Sequence, residues 1–101
     1  MAKFTVELAN SAREELRAMR PFDRQAVLEK VRQVLTSQPN VETRNCKPLH
    51  GLKVPWDQVG DTWELKVDEF RVFFEIETNT DNVVVKAVRH KPPHLTTEDI
   101  L

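Results

Sequence analysis

The sequence predicts an α+β domain of order β-α-α-β-β-β, with an N-terminal helical hairpin packed on one face of a twisted, mainly antiparallel sheet. Three observations predict it. Trp63, Leu65 and Val67, then Phe70, Val72, Phe74 and Ile76, fall on one face at period two, with Glu64, Lys66, Arg71, Phe73 and Glu75 on the other. Helical spacing is confined to residues 11–35, and a third alternating segment follows at 83–90. Two helices early in the chain, each with one apolar stripe, can cover only one side of the sheet. The other side is expected to stay open.

The elements follow in order. Residues 3–8 alternate, with Phe4, Val6 and Leu8 on one face, and read as a first strand. Ser11 and Glu14 have capping-box spacing, so a helix is expected to start at Ser11. Ala12, Leu16 and Met19 form its buried stripe, and Pro21 ends it. Asp23 is the expected N-cap of a second helix, in which Val27, Leu28, Val31, Val34 and Leu35 repeat at helical spacing. Residues 36–40 stop it, because Pro39 disfavours helix before itself.

From 41 to 62 the periodicity disappears, and Pro48, Gly51, Pro55 and Gly60 mark a long loop with room for a short turn or extra strand. Trp56 is expected to plug the core from this loop, and Trp63 to be a core residue of the following strand. If Asp68 and Glu69 make a two-residue turn, Lys66 faces Arg71 across the strand pair, and two like charges so placed ask for an anion or carboxylate between them. A polar cluster at 78–82 turns the chain again. If Glu77 pairs with Asn82, Val83, Val85 and Ala87 fall on the core face. Glu64, Lys66, Arg71, Phe73, Glu75, Val84, Lys86, Val88 and His90 then fall on the open one. Pro92 and Pro93 end the strand, and residues 97–100 form a short final helix or stay extended.

The 101 residues, 40% hydrophobic and 31% charged, describe one ordinary globular domain spanning 1–101. No apolar run reaches the roughly 20 residues of a membrane span, and the N-terminus lacks the blocks of a signal peptide. A cytoplasmic protein without membrane partners is expected, and the single Cys46 agrees, reading as an unreactive loop cysteine. The formal net charge of -1 excludes a generally basic nucleic-acid binder, so any RNA or DNA role must rest on a local cluster of cations. His50, His90, His94 and Cys46 are spaced too irregularly for zinc, and two glycines make no phosphate-cradling loop. Neither a metal nor a cofactor is expected.

The residues Pro48-Leu49-His50-Gly51-Leu52, the strand 63–67, the run Phe70-Arg71-Val72-Phe73-Phe74 and the terminal Val88-Arg89-His90-Lys91 resemble the RelE/ParE toxin superfamily of bacterial toxin-antitoxin systems, over nearly the whole chain. The resemblance implies a toxin bound and silenced by a cognate antitoxin, in a possible toxin-antitoxin hetero-oligomer. On the RelE branch it implies cleavage of mRNA in the ribosomal A site, with ribosome and mRNA as partners. On the ParE branch it implies inhibition of DNA gyrase, and an inactive, antitoxin-binding form of the fold is the remaining alternative. Lys66 matches a catalytic lysine, Arg71 an arginine of the next strand, and Lys91 a position where arginine is usual. Glu64 stands where the RelE type often has a basic residue, and the chain has no tyrosine for the terminal catalytic position.

RNA cleavage requires a base, an acid and charge stabilisation at the phosphate. Deprotonating a lysine near neutral pH takes about 4 to 5 kcal/mol of destabilised charge, which carboxylates on the same face oppose. Lys66, Arg71 and Lys91 are therefore assigned to phosphate binding and transition-state charge. His90 or His94 is assigned to proton transfer. The alternative is that Lys66, Arg71 and Glu75 form a solvated ion-pair row. Phe73, Val84 and Val88 on the open face are expected to receive an antitoxin segment, unless the C-terminal tail covers them.

Overall fold

A computed structural model describes residues 4–77 and 79–101, so Lys3 of the expected first strand and Thr78 of the expected turn lie outside the described residues. The elements are β1 (Thr5–Leu8), α1 (Asn10–Ala18), α2 (Pro21–Lys30) continued by a π-helical turn (Val31–Leu35), β2 (Cys46–Pro48), β3 (Thr62–Val67), β4 (Phe70–Glu77), β5 (Asn82–His90) and α3 (Thr97–Ile100). They form the α+β architecture expected, with one sheet of order β1-β5-β4-β3-β2. β1 runs parallel to β5, and the other neighbours are antiparallel.

The helical hairpin covers one face. Ala12, Leu16, Val27, Val31 and Leu35 pack with Leu65, Val67, Val72, Phe74, Val83 and Val85 in the main core. The helices start differently from the sequence expectation. Ala9, not Ser11, is the N-cap of α1, without a side-chain cap, and the Ser11 hydroxyl instead donates to the Lys86 carbonyl at 2.8 Å. In α2, Pro21 occupies the first turn, where its missing N–H costs nothing, and Asp23 lies inside that turn beside Arg20.

The register of the central strands decides the rest. Lys66 pairs with Arg71 around the Asp68-Glu69 turn, and Glu77 with Asn82, as alternation requires. Between Phe73 and Phe74 the register shifts: Phe73 faces Ala87 but Phe74 faces Val85. The extra residue on β5, Lys86, is a β-bulge, and every side chain after it changes face. Val88 therefore joins the helix-side core and Ala87 leaves it. His90 leaves the face of Arg71: it pairs with Phe70, its ring 5.3 Å from the Phe70 ring, and Arg89 takes the place opposite Arg71 that the unbulged register gives to Val88. Side chains of α1 serve the β5 edge beyond the end of β1, Ser11 at the Lys86 carbonyl and Glu15 accepting from the Val88 N–H at 2.8 Å.

The second face is not open. Phe73, Ala87 and Ile100 form a second, smaller core, completed by Leu49 and Trp56 of the long loop and by Leu95 and Leu101 of the C-terminal segment. A phenylalanine at the sheet centre exposes too much apolar surface to be left in water, and loop and tail supply the cover. Glu75, which alternation places on the open face and the alternative reading in a solvated ion-pair row, is fully buried there. It accepts from the Trp56 indole at 2.8 Å, the Val59 N–H at 2.7 Å and the Thr62 hydroxyl at 3.0 Å. Gly60 permits this path, because a Cβ there would sit 2.8 Å from the Ile76 carbonyl oxygen. What remains accessible on this side is the end of the sheet near the Asp68 turn.

Candidate functional site

That end holds a cleft of about 240 Å³ lined by Arg44, Asn45, Lys47, Glu64, Lys66, Arg71, Lys91 and Thr97. Three local features build it. The cross-strand pair brings Lys66 beside Arg71, and β2 pairs Lys47 with Glu64 on the adjoining strand. The Asn45 carbonyl accepts the Lys66 N–H at 2.7 Å, drawing the Arg44 loop against β3. The Lys91 N–H donates to the Glu69 carbonyl at 2.6 Å, holding the end of β5 near the β3-β4 turn.

Five cationic side chains thus surround one carboxylate. Glu64 lies under them, its side chain 5% exposed. Its Oε2 accepts the Thr97 hydroxyl of α3 at 2.7 Å and stands 3.8 Å from Arg71 Nε, while Oε1 stands 4.0 Å from Lys47 Nζ. Arg71, 11% exposed, also donates to the Asp68 and Phe70 carbonyls at 3.0 and 2.9 Å, so its guanidinium is fixed to the turn. Among the described residues, Arg44, Lys66 and Lys91 have no ion-pair partner. Such an arrangement is suited to hold an anion: charge is in excess, and part of it is preorganised.

Of the expected site residues, Lys66, Arg71 and Lys91 come together here. His90 does not: the bulge turns it to the opposite face, where its Nε2 lies 3.0 Å from Glu69 Oε1. His94 sits in the exposed turn before α3 and is not among the lining residues. Arg44 and Lys47 also line the cleft, and periodicity gives no hint of them because it fails over residues 41–62. The available signal was two cations flanking Cys46 in a segment with room for an extra strand. Cys46 itself is buried, and burial raises its thiol from the usual 9.0 to about 11. No group of three His, Cys, Asp or Glu side chains among the described residues could hold a metal ion. No helix of the described residues is long and apolar enough to cross a membrane.

The chain belongs to the family of ParE toxins of type II toxin-antitoxin systems (parDE), whose model matches residues 6–91, and so to the wider RelE/ParE-like toxin superfamily. It is similar to the toxin-antitoxin complex RelBE2 of Mycobacterium tuberculosis, with 25% identity over 90% of this chain and 94% of that one, at a TM-score of 0.70. It shares the fold of the archaeal RelE-RelB complex of Pyrococcus horikoshii, at 13% identity, 90% and 98% coverage and a TM-score of 0.70. It also shares the fold of the intact E. coli RelBE complex, at 19% identity, 90% and 99% coverage and a TM-score of 0.67. Comparison with curated protein sequences finds no match.

Proposed function

We propose that this toxin acts by binding rather than by chemistry: a ParE-type toxin that inhibits DNA gyrase in the cytoplasm through a surface including the cationic cleft, and that a cognate antitoxin neutralises. The observation that carries the reading is the inventory of the cleft. Its lining offers arginine, lysine, asparagine and threonine side chains and one carboxylate. That carboxylate, Glu64, is already taken up by Thr97, Arg71 and Lys47. General acid-base catalysis needs a group that exchanges a proton near neutrality within reach of the reacting atoms. His90 lies on the other face and His94 outside the cleft. The family match to ParE toxins supports the same branch. The test is gyrase supercoiling of plasmid DNA with the purified chain added: inhibition, reversed by the antitoxin, is expected, and full supercoiling at saturating toxin overturns the reading.

A second reading, the ribosome-dependent mRNA endonuclease, is favoured by one specific observation: Lys66, Arg71 and Lys91 line a single cleft. In that reading they bind the scissile phosphate and stabilise its developing charge, and the ribosome or the mRNA supplies the proton carrier.

A further inference from the structure

The second helix has apolar side chains on two sides. Val27, Leu28 and Val31 of α2 and its π-helical extension pack in the main core, whereas Phe22 is 82% exposed, the most exposed large apolar side chain among the described residues. Phe22 opens a stripe. Ala26, Glu29 and Gln33 follow it at helical spacing down the outer side of α2 and into the π-helical turn. Past Ala26 the stripe borders a void of about 420 Å³ between α2 and the end of β3, with Ala26 and Lys30 on one wall and Lys66 and Val67 on the other. Asp23 and Lys30, seven residues apart, lie on one flank of the stripe. Lys30 has no ion-pair partner among the described residues. Asp23 has Arg20 at 3.3 Å, but that side chain is 88% exposed, and so solvated a pair holds its carboxylate weakly.

We propose that this side of α2 is an interface with a second copy of the chain: two α2 helices pack antiparallel about a twofold axis at Ala26, and the Phe22 ring of each enters the void of the other. The stripe is complementary to itself under that symmetry. Phe22 precedes Ala26 by four residues and Lys30, on the wall of the void, follows it by four, so ring and void each stand about 6 Å from the axis along the helix and coincide on association. Ala26, the smallest side chain of the stripe, lets the helices approach closely. Charge obeys the same symmetry. Asp23 lies three residues before Ala26 and Lys30 four after it, on one flank, so the twofold brings Asp23 of each copy to Lys30 of the other. A membrane surface or a nucleic acid matches this face less well, because both signs of charge surround its one aromatic ring and an anionic partner would meet Asp23 and Glu29. The closed pair leaves neither ring nor void free, so association stops at two copies. Lys66 lines both this void and the cationic cleft, which sets the second copy's ring at the edge of the cleft. The inference stands apart from the toxin's cellular target, because it is read with no gyrase, ribosome or antitoxin present.

The experiment is sedimentation velocity of the purified full chain, without antitoxin, over a series of protein concentrations. The wild type is expected to pass from monomer to dimer. Phe22→Ala removes a ring that is exposed in the monomer, so it leaves the fold intact and is expected to weaken the dimer by about 10- to 100-fold, the value of burying such a ring. Asp23→Lys and Lys30→Asp each set like charges against one another in their own dimers and are expected to dimerise more weakly than the wild type. An equimolar mixture of those two variants restores an opposite-charge pair on both sides of the axis, and is expected to associate about as tightly as the wild type. Weakening by Phe22→Ala together with recovery in the mixture supports the proposal. It is overturned if the wild type is monomeric at every concentration, if it forms an open series of larger species, if Phe22→Ala dimerises unchanged, or if the mixture associates no better than either variant alone. A monomeric wild type whose Phe22→Ala variant fails to retain antitoxin in co-purification overturns it too, and assigns the stripe to the antitoxin. Should Asp23→Lys fail to fold, weakening by both Phe22→Ala and Lys30→Asp supports the proposal, and its absence in either overturns it.

Discussion

Trp56 donates its indole N–H to the Glu75 carboxylate at 2.8 Å, joining the middle of a 13-residue connection between β2 and β3 to the centre of the sheet. Glu75 is fully buried and satisfied by three donors, so the path of the loop and the second core depend on one acidic side chain. Glu75→Ala leaves the indole, the Val59 amide and the Thr62 hydroxyl without that acceptor, and is expected to destabilise the fold by about 3 to 5 kcal/mol. Chemical denaturation measures the loss, and a shift in tryptophan emission reports whether Trp56 has been freed. Stability within 1 kcal/mol of wild type, about the value of an ordinary hydrogen bond, contradicts this role.

The second core makes a related prediction at Phe73. Its ring lies under Trp56, with centroids 6.1 Å apart, and against Ala87 and Ile100. Phe73→Ala is expected to cost about 3 to 5 kcal/mol, as for other buried aromatics. An open sheet face, as alternation alone suggests, predicts a change near zero in the same denaturation experiment.

How far the sequence reveals this structure is clear from β4 and β5. Up to Val72 alternation is a sufficient guide, because polar and apolar side chains alternate along Trp63–Val67 and Phe70–Val72 and only one register buries the apolar set. Val83-Val84-Val85 and Ala87-Val88 are apolar in both phases, so the pattern holds no information about the bulge at Lys86, and alternation places Ala87, Val88 and His90 on the opposite faces from those they take. Glu75 misleads for another reason: a carboxylate reads as solvent-facing unless its donors are known, and all three, Trp56, Val59 and Thr62, come from the aperiodic segment 41–62. The cleft was legible where it rests on the Lys66-Arg71 hairpin, and illegible at Arg44 and Lys47, which tertiary pairing of β2 brings in.

Cys46 gives a pH prediction. Burial raises its thiol from 9.0 to about 11, so the unfolded chain releases this proton at lower pH than the folded one. The stabilisation linked to it is fully present below pH 9.0 and is lost as pH rises toward about 11. Cys46→Ala is expected to flatten the decline in stability over that interval, measured by melting at a series of alkaline pH values. At neutral pH the native thiol should react with a disulfide reagent far more slowly than the denatured chain; equal rates contradict the burial.

Lys66 offers a test of the cleft without harm to the fold, since its side chain is exposed. Lys66→Ala is expected to melt within about 0.5 kcal/mol of wild type, as exposed substitutions do, to retain antitoxin in co-purification and to weaken growth arrest. Undiminished arrest in cells producing equal amounts of both proteins separates toxicity from the cleft.

The most direct test of action by binding is the mapping of mRNA 5′ ends in cells in which the toxin is induced without its antitoxin. The account predicts growth arrest with the pattern of message ends unchanged. New ends inside codons of translated messages, absent when Arg71→Ala is induced instead, contradict it and establish ribosome-dependent cleavage.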